Sequence, residues 1–207
     1  MTYIKICGIT NMDDAAAAVA AGADMLGFNF YKPSPRYITP QHAREIVKQL
    51  PNSVLKVGVF VNEEVANVQT IMRAAGLGAL QLHGDESPEY CTKFPGWCVI
   101  KAFAVSDTFD VQAAQAYDVD VIMLDTKHNH LRGGTGRTFD WSVAAQAALT
   151  FPELYLAGGL SPENVENAIK TVRPNAVDAC SSLEDSPGKK NAERMRQFVE
   201  AVRRVAP

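Results

Sequence analysis

The chain has 207 residues, 47% of them hydrophobic and 21% charged, with a formal net charge of −3 at pH 7. That length suits one sizeable core rather than two. The mild acidity and the dispersal of Lys and Arg leave no basic stripe for nucleic acid. No apolar run approaches the ~18 residues of a membrane span, and Met1-Thr2-Tyr3-Ile4-Lys5 enters an apolar run without the basic start of a signal peptide. Cys7, Cys91, Cys98 and Cys180 include no Cys-x-x-Cys pair, which argues against a disulfide framework or a zinc site. The expectation is a cytoplasmic protein with reduced thiols and with neither a nucleic-acid nor a membrane partner.

Tyr3-Ile-Lys-Ile-Cys7 is a short strand-like run that ends on a thiol. Thr10-Asn11-Met12-Asp13-Asp14 then supplies an N-cap and early acidic residues to an alanine-rich helix closed by Gly22. Met25-Leu-Gly-Phe-Asn29 follows. The prolines of Lys32-Pro33-Ser34-Pro35-Arg36 forbid helix and stiffen the loop that carries Arg36, before Thr39-Pro40 opens a second helix. Val57-Gly-Val-Phe-Val61 precedes Asn62, expected to cap a helix ending near Gly76, and Ala79-Leu-Gln-Leu-His83 precedes a short helix from Ser87-Pro88.

The stretch from Trp97 to Phe103 reads as a strand, and Asp107 to Tyr117 as the helix after it. Val121-Ile-Met-Leu-Asp125 leads into a long basic, glycine-rich loop, Lys127 to Arg137, and a helix that Asp140 can cap through Ala148. Leu154-Tyr-Leu-Ala157 leads into Gly158-Gly159 and a helix started by Ser161-Pro162-Glu163. Ala176-Val-Asp-Ala-Cys180 leads into Ser181-Ser182 and a last helix between Lys189 and Val205. Eight strand-then-helix units, with no linker, no repeat and no Gly-x-Gly-x-x-Gly after the first strand, predict a single-domain α/β (β/α)8 TIM barrel over residues 1–207. An open doubly wound sheet shares the alternation and is the second reading.

In such barrels the carboxyl ends of the strands form the active site, so the polar residues ending these runs are the candidates. Gly158, Gly159, Ser181 and Ser182 follow the last two strands, where barrels frequently bind phosphate through backbone N–H groups; ordinary turn chemistry uses the same residues. Cys7 and Asp125 offer a thiol and a carboxyl that would face each other across the mouth as base and acid. A thiolate base requires a nearby cation or helix N-terminus, and the alternative for Cys7 is a small buried core residue. Arg36 presents a fork suited to a carboxylate, His83 would orient substrate or sit satisfied in the interior, and Asp178 inside the eighth strand demands a partner. Gly134 and Gly136 belong to a loop that reads as a flap over an anionic substrate. His128 and His130 lack a matching carboxylate cluster, so no metal is expected.

Lys5-Ile-Cys7-Gly8-Ile9-Thr10, Ser34-Pro35-Arg36, Val57-Gly-Val-Phe60, Gln81-Leu-His83-Gly84, Gly133-Gly-Thr-Gly136 with Phe139-Asp-Trp141, and Leu156-Ala-Gly-Gly-Leu160 with Asn164-Val165 strongly resemble the phosphoribosylanthranilate isomerases of tryptophan biosynthesis, in order and over nearly the whole chain. The resemblance implies a cofactor-free and metal-free Amadori rearrangement of N-(5-phosphoribosyl)anthranilate to the 1-deoxyribulose 5-phosphate, a small sugar-phosphate substrate, in a monomer or homodimer. It implies Asp125 as general acid, Cys7 as general base, Arg36 on the anthranilate carboxylate and the loops at 158–159 and 181–182 on phosphate. The chain departs from the family's usual Val-Asp-Val-Ser-Ser-Gly-Val-Glu with cysteine at 180 and serine at 182, and serine adopts a positive φ less readily than glycine. Asn191 stands where aspartate is frequent, and either residue caps a helix.

Three other readings compete with this one. An indole-3-glycerol-phosphate synthase would need a catalytic lysine and glutamate, for which Lys56 alone is thin support. A dual-substrate aminoaldose isomerase would carry aspartate at position 7. A non-catalytic sugar-phosphate sensor would tolerate loss of Cys7 or Asp125, and both are present.

Overall fold

The computed structural model describes residues 2–105, 109–125 and 141–205. Eight strands, β1 (Tyr3–Cys7), β2 (Met25–Asn29), β3 (Leu55–Phe60), β4 (Ala79–Leu82), β5 (Cys98–Ala104), β6 (Val121–Asp125), β7 (Leu154–Ala157) and β8 (Ala176–Ala179), close in sequential order into a barrel. Every pairing is parallel, and β8 returns to β1 with Tyr3 opposite Ala176 and Ile6 opposite Ala179. The helices are α1 (Met12–Ala21), α2 (Pro40–Val47), α3 (Val65–Ala75), α4 (Pro88–Cys91), α5 (Val111–Ala114), α6 (Ser142–Ala148), α7 (Val165–Val172) and α8 (Ala192–Val205). A small hairpin of β9 (Glu184–Ser186) and β10 (Lys189–Lys190) follows a 3-10 turn over Ser181–Leu183.

The period of two along each strand divides the core into two layers. Ile4, Ile6, Leu26, Phe28, Leu80, Leu82 and Leu156 face the helices and join one continuous apolar layer with Ala18, Val68, Met72, Val165 and Phe198. Met25, Val57, Ala79, Ile100, Met123 and Tyr155 fill the barrel interior. Each large side chain so buried contributes about 1.5–3 kcal/mol. In β1 and β8 the inward positions carry the buried Lys5 and Asp178, so this sector of the interior is ionic.

Local signals explain where elements begin and where they depart from expectation. Asn11, Thr39 and Ser87 each cap a helix through a side-chain oxygen, taking the N–H of Asp14, His42 and Tyr90. Asn62 does not cap α3. It adopts φ 49° and its Oδ1 accepts from Asp85 N at 2.7 Å, so the helix begins after Glu64. The Ser161-Pro162-Glu163 start is displaced to Val165, because Asn164 Oδ1 takes the Ser161 N–H at 2.8 Å and holds a turn first. Lys189 and Lys190 belong to the hairpin. Asn191 caps α8 instead, accepting from Arg194 N at 2.9 Å. Of the helix expected from Asp107 to Tyr117, the described residues from 109 on are helical over Val111–Ala114; Asp107 lies outside the described residues. Asp140 lies outside the described residues.

Candidate active site

The ends of β1, β6, β7 and β8 with the loops after β2, β4 and β8 enclose a cavity of about 540 Å³. Its lining includes Cys7, Arg36, His83, Asp125, Gly158, Gly159, Asp178, Ser181 and Ser182. Every site residue expected from the sequence and lying within the described residues therefore meets at one mouth. Gly134 and Gly136 of the expected flap fall outside the described residues.

At one wall, the fully buried Lys5 reaches inward from β1 and donates to Asp178 Oδ1 at 2.9 Å. Burial pulls the Lys5 ammonium down, but the charges of Asp178 and Cys7 outweigh it and hold Lys5 protonated. Burial pushes Asp178 up to about 7, against the opposing pull of Lys5. Cys7 closes the same strand. A hydrogen bond from the Cys180 thiol, followed by the charges of Lys5 and Lys190, overcomes burial and holds Cys7 well below the usual thiol range. Lys190 Nζ lies 3.7 Å from Cys180 Sγ and 2.9 Å from Glu184 Oε1. The close approach of β2 depends on Gly27, where a methyl group would stand 2.7 Å from Cys7 Sγ and 3.1 Å from Lys5 Nζ.

Across the mouth, Asp125 ends β6. His83 Nε2 lies 3.0 Å from Asp125 Oδ2, and His83 Nδ1 lies 2.7 Å from Gln81 Nε2. With the Gln81 amide assigned as donor, Nδ1 accepts and the Nε2–H of His83 donates to the carboxylate. Among the described residues Asp125 Oδ1 is buried without a hydrogen-bond partner. The loop that presents His83 is fixed from beneath by Lys101, which donates to Gly84 O at 2.6 Å and to Glu86 Oε2 at 2.7 Å. Glu86 in turn takes the N–H groups of Gly84 and Asn62.

Arg36 arrives on the proline-stiffened loop after β2, where its Nε and Nη2 clamp Glu184 at 2.8 and 2.6 Å. Glu184 would be raised by its burial, but Arg36 and Lys190 outweigh that and hold it below the usual carboxylate range. The side edge of the guanidinium is thus occupied by Glu184. Gly158 and Gly159 take φ 92° and 66°, left-handed values that glycine alone adopts without strain. They bring the backbone after β7 to the cavity beside the 3-10 turn at Ser181 and Ser182. Ser182 does not take a positive φ, so the departure from glycine there carries no backbone strain. Its hydroxyl donates to Leu160 O and ties the two loops together.

Gln81, Glu184 and Lys190 escaped the sequence reading. Gln81 sits mid-strand, Glu184 lies in a hairpin the sequence did not signal, and Lys190 lies in the same hairpin where the last helix was expected to begin. The inward alternation of β4, which places Gln81 and His83 on one face, was the available signal for the first. Among the described residues no group of three or more His, Cys, Asp and Glu is arranged to hold a metal ion.

The depressed Cys7 thiol has a direct readout. Alkylation of Cys7 by iodoacetamide should keep its full rate down through neutral pH and fall only as pH drops through a midpoint well below the ordinary thiol value of ~8.5. The rate is read by peptide mass analysis of each cysteine. A midpoint at or above the ordinary value would mean that Lys5, Lys190 and Cys180 do not stabilise the thiolate.

Fold and site together define a parallel (β/α)8 barrel whose rim sets a thiol and a carboxyl around a small-molecule cavity bordered by glycine and serine loops. The model of the family described as N-(5'-phosphoribosyl)anthranilate isomerase matches residues 4–201. The N-(5'-phosphoribosyl)anthranilate isomerase of Thermotoga neapolitana is 48% identical over 204 residues, covering 98% of this chain and 99% of that protein. The crystal structure of the Thermotoga maritima phosphoribosyl anthranilate isomerase superposes with a TM-score of 0.91 at 46% identity, covering 98% of this chain and 99% of that one. A phosphoribosyl anthranilate isomerase in complex with reduced 1-(o-carboxyphenylamino)-1-deoxyribulose 5-phosphate gives 0.89 at 44% identity, with the same coverage. This chain belongs to the phosphoribosylanthranilate isomerase family.

Proposed function

We propose that Cys7 and Asp125 are the general base and general acid of this protein's reaction, the Amadori rearrangement of N-(5-phosphoribosyl)anthranilate to 1-(2-carboxyphenylamino)-1-deoxyribulose 5-phosphate in tryptophan biosynthesis. The observation that carries the assignment is that a stabilised thiolate and a carboxyl with one oxygen unpartnered among the described residues open into the same cavity from β1 and β6.

Asp125 gives its proton to the furanose ring oxygen as the anilino nitrogen lone pair expels it, so that the ring opens to a Schiff base. The Cys7 thiolate removes the proton from C2′, and the electron pair flows into the iminium to give an enolamine. The enolamine tautomerises to the ketone. Each proton transfer of this kind contributes typically about 10²–10⁴-fold. His83 orients the Asp125 carboxyl, and Gln81 orients His83. Arg36 receives the anthranilate carboxylate, and Asp178 holds Lys5 beside the base. The backbones at Gly158, Gly159, Ser181 and Ser182 receive the phosphate. A cofactor-free reaction suits these residues, since both proton transfers are done by side chains.

We further read residues 1–207 as one barrel domain of a cytoplasmic enzyme acting as a monomer or homodimer. The Thermotoga maritima relative is described as dimeric, the cysteines are free, and among the described residues no helix is long and apolar enough to cross a membrane.

The test is to generate N-(5-phosphoribosyl)anthranilate in situ and follow its fluorescence change with purified protein before and after dialysis against a metal chelator. Equal, rapid conversion in both samples is expected. No conversion by folded protein would reject the activity, and loss on chelation would reject the metal-free mechanism.

A further inference from the structure

Cys180 is a half-buried thiol to which the proposed reaction gives no role. Its position follows from the closing seam of the barrel. β1 and β8 run parallel with Lys5 opposite Asp178 and Ile6 opposite Ala179, the last pair, and Cys7 and Cys180 are the residues that follow on each side. Lys5 and Asp178 meet inside the barrel at 2.9 Å, and residues two further along each strand point to the same side. Both cysteines accordingly line the cavity. A methyl group built on Gly8, the residue after Cys7, would stand only 3.0 Å from Cys180 Sγ, which places that sulfur hard against the end of β1. Strands paired at about 4.8 Å fall within the Cα spacing of about 4.4–6.8 Å that a disulfide spans.

We propose that Cys7 and Cys180 form an oxidative modification site, at which a hydroperoxide converts the two thiols into a disulfide across the β1–β8 seam. The Cys7 thiolate attacks one peroxide oxygen. An S–O bond forms, the O–O bond breaks, and the leaving oxygen departs as hydroxide, giving a sulfenic acid on Cys7. Cys180 sulfur then attacks Cys7 Sγ; the S–S bond forms, the S–O bond breaks, and the thiol proton leaves with the hydroxyl as water. With hydrogen peroxide as the hydroperoxide, the two sulfurs lose two electrons and the peroxide gains them, ending as one water and one hydroxide that takes a proton from solvent.

Three features favour this pair over the other cysteines. The attacking group is already a thiolate, and Lys190 stands 3.7 Å from Cys180 Sγ, where it favours loss of that proton in the second step. The resolving thiol already stands against the end of β1, 3.0 Å from where a methyl group on Gly8 would lie. Burial pushes Cys91 up to about 11 and raises Cys98 as well, so both remain unreactive thiols in the same sample.

The experiment is titration of the whole protein with hydrogen peroxide, quenching with iodoacetamide without reductant, and peptide mass analysis beside activity. The expected result is a Cys7–Cys180 linked peptide lacking two hydrogens, unmodified thiols at Cys91 and Cys98 before alkylation, and loss of activity in proportion to the crosslink, regained with dithiothreitol. In Cys180→Ser no second thiol is present to resolve the sulfenic acid. Cys7 should then proceed to sulfinic acid, and dithiothreitol should not restore whatever activity that variant has lost. Wild-type protein that goes to Cys7 sulfinic acid with no crosslink would overturn the proposal, as would oxidation of Cys91 or Cys98 ahead of Cys7. The activity arm rests on Cys7 being the base, whereas the crosslink arm does not. A crosslinked protein that retained its activity would therefore reject the role of Cys7 and leave the modification site standing.

Discussion

Cys7→Ser and Asp125→Asn should each lower kcat/KM at neutral pH by about 10²–10⁴-fold, the range that general acid–base groups supply, with unfolding midpoints close to that of the parent. Serine fits the space of Cys7 and can take the hydrogen bond from Cys180, but Lys5 and Lys190 cannot bring an alcohol to its alkoxide near neutrality. The cationic wall remains and the base is lost. Asparagine at 125 retains an oxygen for His83 Nε2–H at the 3.0 Å contact yet has no proton to give to the ring oxygen. The fluorescence assay with each variant, alongside urea unfolding, separates loss of chemistry from loss of fold. If either variant stayed within a few-fold of the parent, the role assigned to that residue would be wrong.

Lys5→Met is expected to damage both stability and chemistry. Removing one member of a buried ion pair costs about 3–5 kcal/mol, because the other charge stays behind without a partner. Asp178 is already pushed up to about 7 by burial with Lys5 beside it, and without the ammonium it can only rise further. A carboxyl whose folded pKa lies above its unfolded value stabilises the fold fully below the unfolded pKa, near 4, and loses that contribution as pH rises through the folded value. The loss relative to the parent should therefore be larger at pH 8 than at pH 5, by urea unfolding at both. The double variant Lys5→Met with Asp178→Asn should regain much of the stability and none of the activity, since Cys7 still lacks its nearest cation. Equal destabilisation at the two pH values would show that Asp178 is not the group left exposed.

The barrel was legible because each strand is a short apolar run with a polar terminus, and such runs carry their own boundaries. Met25–Asn29, Val121–Asp125 and Leu154–Ala157 begin and end where the sequence placed them. Helix starts were less legible wherever a side chain had two uses. Asn62 looks like a cap and instead holds a turn, and Asn164 holds the turn that delays the helix expected from Ser161. The rim residues could be named from strand ends alone. Their connections were hidden, because the bonds that tune them join residues far apart in the chain. Arg36 reads as a free fork until Glu184, 148 positions on, occupies its side edge, and the partner of Lys5 lies 173 positions away.

That distance along the chain has a consequence for biosynthesis. Cys7 leaves the ribosome well before Asp178, Cys180, Glu184 and Lys190, which lie more than 170 positions further along the chain. While earlier strands are being assembled, the future base is an ordinary thiol with ordinary reactivity. The β1–β8 pairing has the greatest sequence separation of any in the barrel, and long-range closures of this kind form late because the chain entropy they require is spent before their contacts are gained. A nascent or partly assembled chain thus carries only the small thiolate fraction of an ordinary thiol, and the reactive sulfur is switched on by the same seam that completes the fold.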